Sequence, residues 1–381
     1  MEGGRKIAIA MPCTGEEEWQ ALRAPLESGW LTQGPKVAEF EQNFAARHGV
    51  RHALATTSCT TALHLSLLAL GIGPGDEVIV PTFTWVATAN AVLYCGATPI
   101  FTDVDRNTYN IDPEDLARRV TSRTRAVIVV HLFGLCADMD AIRAAVPQHV
   151  AIVEDAACAA GARHGDRCAG ALGEIAAFSF HPRKSITTGE GGMVTTDSDS
   201  LARRVDMMRN HGASVSEETR HSGPKPYLLP EFDVLGFNYR MTDLQAAVGV
   251  VQLGKLDRFI GERQQWAEYY CSALAGMDWL RMPAMPRRGQ HAWQAFVPYV
   301  DPERAPRSRN EIMEILQAKG IATRPGTHAV HTLAYYRQRF GLRPEDFPVA
   351  RDCQNQSLAI PLHNRMTLED YDYVVDALRQ I

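Results

Sequence analysis

Two kinds of apolar pattern alternate along the first 210 residues of this chain. Short continuous apolar runs are typical of strands buried on both faces, and longer amphipathic or alanine-rich stretches are typical of helices. The predicted strands are residues 52–55, 77–81, 98–104, 126–132, 151–154 and 175–180. The predicted helices include residues 37–48, 62–70, 112–120, 139–146 and 200–209. This alternation predicts an α/β fold whose sheet is mostly parallel and is covered by helices on both faces.

The pattern changes after about residue 257. A long helix predicted from residue 242 to 256, with a possible extension to 274, is followed by Pro- and Arg-rich loops and by alternating segments such as 295–300. We therefore predict a large domain over residues 1–257 and a smaller α+β domain over residues 258–381. The spacing of Thr14 and Glu17 resembles a helix-capping box, and the first ~20 residues are expected as an extension that can pack on the small domain.

Composition and charge exclude several classes of protein. The chain has 381 residues, 45% hydrophobic and 22% charged, with a net charge of −5, which argues against a nucleic-acid surface. Apolar runs stay well short of the ~20 residues of a membrane span, and residues 1–10 do not resemble a signal peptide. Eight scattered cysteines without a C-x-x-C pair favour reduced thiols over disulfides or a zinc site. We expect a cytoplasmic protein without a metal site and without membrane or nucleic-acid partners.

The stretch with the clearest chemistry is residues 178–193, F-S-F-H-P-R-K-S-I-T-T-G-E-G-G-M. A predicted strand ends here, and Lys184 follows it in front of a glycine-rich turn at 189–192. α/β folds bind ligands at the carboxyl ends of their strands. We expect partial desolvation there to lower the pKa of Lys184 and make it an amine nucleophile for Schiff-base chemistry, most often with pyridoxal phosphate (PLP). The alternative is an ordinary solvated surface lysine.

Three further features are those that a PLP site requires. Asp155 ends a buried strand, where its carboxylate needs a cationic partner; a pyridine nitrogen or a structural salt bridge would serve. The run T-T-S-C-T-T at 56–61 joins a strand to a helix and predicts a phosphate site at the helix N-terminus, with simple capping by Ser58 or Thr60 as the alternative. Trp85 follows another strand and can stack on a cofactor ring or pack in the core.

The ordered set of motifs resembles the DegT/StrS family of PLP-dependent sugar aminotransferases across nearly the whole chain. The motifs are S-G-W-L-T-Q-G-P at 28–35, T-S-C-T-T-A-L-H at 57–64, P-T-F-T-W-V-A-T at 81–88, E-D-A-A at 154–157, S-F-H-P-R-K-S-I-T-T-G-E-G-G at 179–192, G-F-N-Y-R-M at 236–241 and T-R-P-G-T-H at 323–328. The resemblance implies the fold-type I aminotransferase architecture, a seven-stranded, mostly parallel sheet flanked by helices with a smaller C-terminal domain.

The resemblance also implies a role for each matched residue around the cofactor ring. Lys184 would form the Schiff base with PLP and move the proton during transamination. Asp155 would hold the pyridine nitrogen, and Trp85 would stack on the ring. One branch of the family has histidine in place of the lysine and dehydrates its sugar, so Lys184 argues against that branch.

For the cofactor phosphate, the resemblance implies the backbone of Cys59 and Thr60 together with the hydroxyl of Ser179. Asn238 would reach the phosphate from a second subunit, which implies a homodimer with shared active sites. The chain departs from the family at two positions. Cys59 stands where relatives commonly have glycine, and Cys158 stands where they have Gln or His near the phenolic oxygen of the cofactor.

The reaction that the resemblance implies is a ping-pong transamination. An amino donor, expected to be L-glutamate, loads the cofactor with an amino group, which then passes to a keto group of a nucleotide-linked deoxysugar. The candidate substrate contacts are Trp30, His181, Arg240 and His331. Packing or a structural ion pair is the alternative role for these side chains.

Other substrates and other roles stay open at this point. Members of the family also aminate keto-cyclitols, and one branch is an eliminating enzyme. A PLP-binding regulator without turnover is the alternative outside the enzymes. That alternative predicts a DNA-binding appendage or a basic face, and the sequence, with its net charge of −5, indicates neither.

Overall fold

The structure is a computed structural model that describes residues 5–214, 227, 229 and 231–381. Its strands are β1 (His52–Thr56), β2 (Glu77–Pro81), β3 (Phe83–Thr84), β4 (Thr98–Thr102), β5 (Thr124–Val130), β6 (Ala151–Asp155), β7 (Arg163–His164), β8 (Arg167–Cys168), β9 (Ile175–Ser179), β10 (Gly192–Thr196), β11 (Leu280–Arg281), β12 (Gly289–Gln290), β13 (Tyr299–Val300) and β14 (His328–Ala329). Seven of them form the central sheet, in the order β1-β10-β9-β6-β5-β2-β4.

Helices cover this sheet and build the C-terminal part of the chain. They are α1 (Glu16–Ala21), α2 (Arg23–Ser28), α3 (Pro35–His48), α4 (Cys59–Ala69), α5 (Ala87–Tyr94), α6 (Pro113–Arg119), α7 (Met139–Ala145), α8 (Asp199–Arg209), α9 (Asp243–Gly254), α10 (Leu256–Ala273), α11 (Arg309–Ala318), α12 (Ala334–Phe340), α13 (Pro348–Gln356) and α14 (Leu368–Arg379). Short 3₁₀ turns lie at Leu132–Gly134, Val330–Thr332 and Pro344–Asp346. The expected α/β fold with a mostly parallel sheet is confirmed.

The six predicted strands of the sheet all form, with ends within two residues of those expected. The seventh strand, β10, was not predicted. It pairs antiparallel with both β1 and β9, whereas the other neighbours in the sheet are parallel. Its sequence, G-M-V-T-T, is short and ends in two threonines. The hydroxyls of Thr195 and Thr196 donate to the carbonyl groups of Gly170 and Glu174, both at 2.7 Å, so they can be buried without loss of hydrogen bonds.

Two local predictions about helices need correction. The N-cap of α1 is Gly15, not Thr14, and the backbone N–H of Gly15 donates to Glu18 at 2.8 Å. The long helix expected from residue 242 toward 274 is two helices, α9 and α10, which meet at Lys255. The irregular segment expected over residues 211–230 lies mostly outside the described residues.

The C-terminal part of the chain has its own apolar core. This core contains Tyr270, Ile312 and Tyr371, and it also takes in Ile7 from the N-terminal segment. The backbone of Ile7 exchanges two hydrogen bonds of 2.9 Å with the Gly320–Ala322 segment. The predicted division at residue 257 falls in the first turn of α10 and stays a prediction. Helix α10 itself contributes residues to two apolar cores, that of the large part and that of the small part. No helix among the described residues combines the length and apolar composition of a membrane span.

Gly192 marks the closest approach of the sheet to α4. A Cβ atom at this position would lie 2.7 Å from the backbone nitrogen of Cys59, and closer still to the carbonyl group of Ser58. Such a contact is much shorter than van der Waals separation, so any side chain would push β10 away from the start of α4. Gly261 offers a matched contrast, because it is exposed in the middle of α10 and a Cβ there meets nothing within 4 Å.

We expect the same chemical change to have opposite effects at these two glycines. Gly192→Ala should destabilise the protein by about 1–3 kcal/mol through overpacking. Gly261→Ala should stabilise it by roughly 0.5–1 kcal/mol, because alanine loses less backbone entropy in a helix. Urea denaturation of the two variants beside the parent protein measures both changes. Equal stability of Gly192→Ala and the parent would contradict the close approach described here.

Candidate active site

Several predicted site residues meet at one edge of the sheet. Because β1 and β9 both pair antiparallel with β10, they run in the same direction as each other. β9 is in turn parallel to β6. The carboxyl ends of these three strands therefore lie at one edge, where Thr56 leads to α4, Asp155 ends β6 and Ser179 ends β9. Ligands of α/β proteins bind at this kind of edge.

Asp155 is a buried carboxylate at this edge, 5% exposed. Its Oδ2 accepts a hydrogen bond of 2.8 Å from the hydroxyl of Thr88, and its Oδ1 accepts one of 3.2 Å from the backbone N–H of Ala157. Burial raises the pKa of Asp155 in spite of these hydrogen bonds. A cation bound next to the carboxylate would offset that cost, and a protonated pyridine nitrogen is such a cation. Thr88 orients the carboxylate and was not singled out in the sequence, although it ends the motif that contains Trp85.

Lys184 is partly buried, and its Nζ donates to the sulfur of Cys158 at 3.3 Å. This excludes a freely solvated surface lysine. The expected direction of its pKa was wrong. Burial alone lowers the pKa of Lys184, but the thiol groups of Cys158 and Cys59 and the carboxylate of Asp155 outweigh it and raise the pKa above its ordinary value. Lys184 is therefore an ammonium group in this arrangement, and it has to lose a proton before it can act as a nucleophile.

The N-terminus of α4 is arranged to bind an anion. Ser58 is the N-cap, and its hydroxyl accepts a hydrogen bond of 3.1 Å from the backbone N–H of Thr61. The N–H groups of Cys59 and Thr60 lie in the same first turn, where helix geometry supplies no intrahelical acceptor. Ser179 pairs with Gly192 in the sheet, and Gly192 in turn approaches the start of α4. Capping and phosphate binding are thus compatible, because the cap takes only one of the free N–H groups.

The side chain of Cys59 points toward the carboxylate of Asp155. The thiol donates to Oδ1 at a distance of 3.9 Å. Burial, and then the charge of Asp155, raise the pKa of this thiol well above its ordinary value, so Cys59 is uncharged. The cysteine at this position therefore leaves the backbone N–H groups of the turn free.

Trp85 is exposed enough for its ring to stack on a ligand. Its side chain is 57% exposed, which excludes core packing in the described chain. The edge of the ring contacts His328, with ring centroids 5.5 Å apart. This contact follows from the pairing of β3 with β14, in which His328 lies opposite Thr84. The 323–328 loop of the small domain thus reaches Trp85.

Asn238 and Arg240 lie on a segment next to the end of β1. The backbone of Arg240 forms an isolated antiparallel β-bridge with Thr56. The guanidinium of Arg240 donates to the side chain of Asn210 at 2.7 Å. The backbone N–H of Thr57 donates to the carbonyl group of Tyr239 at 3.0 Å. Asn238 is exposed. The segment therefore flanks the turn that leads to α4, and Asn238 is available to a ligand or to another chain.

Among the four candidate substrate contacts, His331 is not supported. It is fully buried, and its ring nitrogens lie 2.7 Å from the hydroxyl of Thr82 and 3.3 Å from the carbonyl group of Pro344. Nδ1 thus joins the C-terminal part of the chain to the end of β2, and Nε2 makes a contact within the C-terminal part. The sequence could not show the first contact, because Thr82 and His331 are 249 positions apart.

His181 and Trp30 keep partly exposed side chains. His181 belongs to the lysine loop, where its Nδ1 accepts a hydrogen bond of 3.2 Å from the backbone N–H of Arg183. Burial lowers the pKa of His181, which favours the neutral imidazole. The indole N–H of Trp30 donates to the carbonyl group of Gln33 at 3.1 Å, within the loop that precedes α3. Substrate contacts by these two residues stay predictions.

A buried network that the sequence did not reveal holds the end of β6. Glu154 accepts hydrogen bonds of 2.7 Å from the backbone N–H groups of Gly170, Leu172 and Gly173, and it lies 2.9 Å from Nε2 of His131. Burial acts to raise the pKa of Glu154, but His131 and these N–H groups lower it below the ordinary value. This ionised anchor fixes the strand that presents the adjacent Asp155.

The residues present fit a pyridoxal phosphate. Within the described ranges, the buried side-chain oxygens without a hydrogen-bond partner are those of Gln33 and Ser185, and Ser185 follows Lys184 directly. A buried carboxylate, an exposed aromatic face and a helix N-terminus surround the same edge. Together they offer a partner for each part of the cofactor: ring nitrogen, ring face and phosphate.

Comparisons with known proteins agree with this assignment. A model of the DegT/DnrJ/EryC1/StrS aminotransferase family matches residues 12–379. The spore coat polysaccharide biosynthesis protein SpsC of Bacillus subtilis is 42% identical over 377 residues, which are 98% of this chain and 97% of SpsC. An aminotransferase from Psychrobacter cryohalolentis is 32% identical, with a TM-score of 0.92 over 98% of each chain. The PLP form of the putative sugar aminotransferase Spr1654 from Streptococcus pneumoniae is 26% identical, with a TM-score of 0.90 over 99% of this chain and 98% of that one.

Proposed function

Because this chain belongs to the DegT/DnrJ/EryC1/StrS aminotransferase family and is a PLP-dependent aminotransferase, we propose that it aminates a keto group of a nucleotide-linked deoxysugar. The amino donor is L-glutamate, and the two half-reactions follow a ping-pong order. The observation that carries the proposal is the convergence of Lys184, Asp155 and the N-terminus of α4 at one edge of the sheet. Two relatives support a sugar substrate, since one serves polysaccharide biosynthesis and another is described as a putative sugar aminotransferase.

When bound, PLP supplies an electron sink for the electron pair that remains as the α-proton leaves. Asp155 keeps the ring nitrogen protonated, and Thr88 holds the carboxylate in position at 2.8 Å. The first turn of α4 and the Ser179 hydroxyl would hold the phosphate, and Trp85 would cover one face of the ring. These residues would together hold the cofactor next to the amine of Lys184.

Lys184 is the group that moves the proton. In the arrangement described, the neighbouring Cys158 and Asp155 favour its ammonium form. Pairing of Asp155 with a pyridinium nitrogen would neutralise one of them, and the pKa of Lys184 would fall. As a neutral amine, Lys184 would accept the α-proton of the donor and later give it back.

A second copy of the chain completes the proposed site. Next to the exposed Asn238, Phe232 is 60% exposed and Leu235 is 87% exposed, which is unusual for a surface that faces only water. We place these residues in a homodimer interface, where Asn238 of one copy reaches the phosphate of the other. A molar mass by light scattering equal to that of one chain would contradict the dimer.

Absorbance of the PLP-loaded protein tests the function. Addition of L-glutamate should remove the visible or near-visible band of the bound cofactor and produce the shorter-wavelength band of its amine form. The amine form is then offered nucleotide-linked keto-deoxysugars and keto-cyclitols in separate reactions, and the original band should return with the sugars. Return of the band with cyclitols alone would replace the proposed acceptor. A band that no amino donor changes would overturn the transamination itself.

A further inference from the structure

Lys184 and Cys158 form a direct contact that the transamination does not require. The ammonium group and the sulfur are 3.3 Å apart, without an intervening atom. Cys158 is partly exposed, so a small molecule can reach its sulfur. The backbone N–H of Lys184 is held by the carbonyl group of His181 at 2.8 Å, which fixes the turn from which the lysine extends.

The surroundings favour oxidation of Cys158 over oxidation of Cys59. Hydroperoxides preferentially oxidise cysteines that lie next to a cation, because the thiolate is the reacting form. Cys59 has the opposite environment, since its sulfur faces the Asp155 carboxylate, and burial and that charge raise its pKa. The two cysteines of one site thus differ in reactivity through the charge of their nearest neighbour.

We propose that Cys158 and Lys184 are a peroxide-sensitive pair, in which oxidation links the sulfur to the lysine nitrogen. This link reversibly inactivates the cofactor-free enzyme. The ligand class is a hydroperoxide, such as hydrogen peroxide. The linked form has no free amine at position 184 and so cannot take up PLP covalently. The bound cofactor occupies the same amine and protects the pair. This inference goes beyond the proposed function and needs no sugar substrate.

The chemistry is balanced in two steps. First, the Cys158 thiolate attacks one oxygen of hydrogen peroxide, the O–O bond breaks, and the attacked oxygen stays on the sulfur with its hydrogen as a sulfenic acid. The departing hydroxide takes a proton from the Lys184 ammonium and becomes water, which leaves Lys184 as a neutral amine. The sulfur is oxidised and the peroxide is reduced. Second, the deprotonated amine of Lys184 attacks that sulfur, an N–S bond forms, and the S–O bond breaks with loss of water. Two equivalents of an added thiol reverse the link, because they reduce the sulfur and are themselves oxidised to a disulfide.

The test uses full-length protein stripped of PLP and treated with hydrogen peroxide. Intact mass should fall by two hydrogen atoms, and a tryptic digest should contain one cross-linked species that joins the Cys158 peptide to the Lys184 peptide. Cleavage after Lys184 should be lost, and absorbance should show no covalent uptake of added PLP. Treatment with a thiol reductant should restore the mass, the cleavage and the uptake. Protein loaded with PLP before the peroxide should show no cross-link.

Cys158→Ser and Cys59→Ser are the matched variants. The link should vanish in Cys158→Ser and persist in Cys59→Ser. A disulfide between positions 59 and 158 would also remove two hydrogen atoms, but it would vanish in both variants and leave cleavage after Lys184 intact. That disulfide, or sulfinic acid at Cys158 with a free lysine, would overturn the proposal. Because the peptide map is read on the unsubstituted protein, the result stands even if a variant folds poorly. Failure here would leave the L-glutamate test of the proposed function untouched.

Discussion

Lys184→Ala is expected to abolish transamination, with a fall in kcat of at least about 10⁴-fold, the upper range for loss of one acid–base group. The variant loses both the covalent attachment of the cofactor and the amine that moves the α-proton. Other contacts stay in place, since Asp155 and the first turn of α4 are on different elements. We therefore expect weaker binding of PLP, not its complete loss. Stopped-flow absorbance of a single half-reaction with L-glutamate measures the rate without interference from the second substrate.

Lys319→Ala is the matched control for this experiment. Lys319 ends α11 and its amine donates to the side chain of Gln380 on the surface of the small domain. Its loss should leave the half-reaction unchanged. Activity of Lys184→Ala close to that of the control would show that another base moves the proton, and the assignment of Lys184 would then fail.

Asp155→Asn is expected to cost about 3–5 kcal/mol of transition-state stabilisation, the range for breaking a buried charge pair. That corresponds to roughly 10²–10⁴-fold in kcat. The asparagine has the same shape and can still accept a hydrogen bond from Thr88, but it cannot hold a protonated pyridine nitrogen. The ring then loses its strength as an electron sink. Steady-state kinetics give the fall in kcat, and the absorbance band of the bound cofactor reports its changed protonation.

The melting temperature of the cofactor-free protein distinguishes a chemical effect of Asp155→Asn from a structural one. Burial raises the pKa of Asp155 in the cofactor-free protein, so its charge costs stability there as the pH rises from the unfolded pKa through the folded pKa. Asp155→Asn removes that cost, and the cofactor-free variant should melt no lower than the parent near neutral pH. The exposed Asp140, changed to asparagine, serves as the control and should retain full kcat. A large fall in the melting temperature of cofactor-free Asp155→Asn would point to a structural role.

Much of the fold and the positions of the candidate reacting groups follow from local sequence. Continuous apolar runs such as 151–155 have to be buried on both faces, so they form inner strands of a sheet. A polar residue at the end of such a run lies at the sheet edge, which is why Asp155 was correctly expected there. Capping of α4 by Ser58 could also be predicted from the sequence, because capping depends on residues only three apart.

Contacts between distant segments were decided only by the tertiary structure. Whether β10 pairs with β1 and β9 depends on how the chain returns to the sheet, and its five residues carry too weak a pattern to show it. The contact of Lys184 with Cys158 and the burial of His331 against Thr82 join residues 26 and 249 positions apart. The charge of a side chain likewise depends on contacts between distant segments. The pKa of Lys184 was expected to fall, because a position at a strand end predicts burial and burial disfavours the charged amine. The pKa rises instead, because folding places acidic groups around the amine. Hydrophobic pattern thus determines which residues are buried and at which strand end they lie, whereas the electric field at a side chain depends on neighbours that only the folded chain brings together.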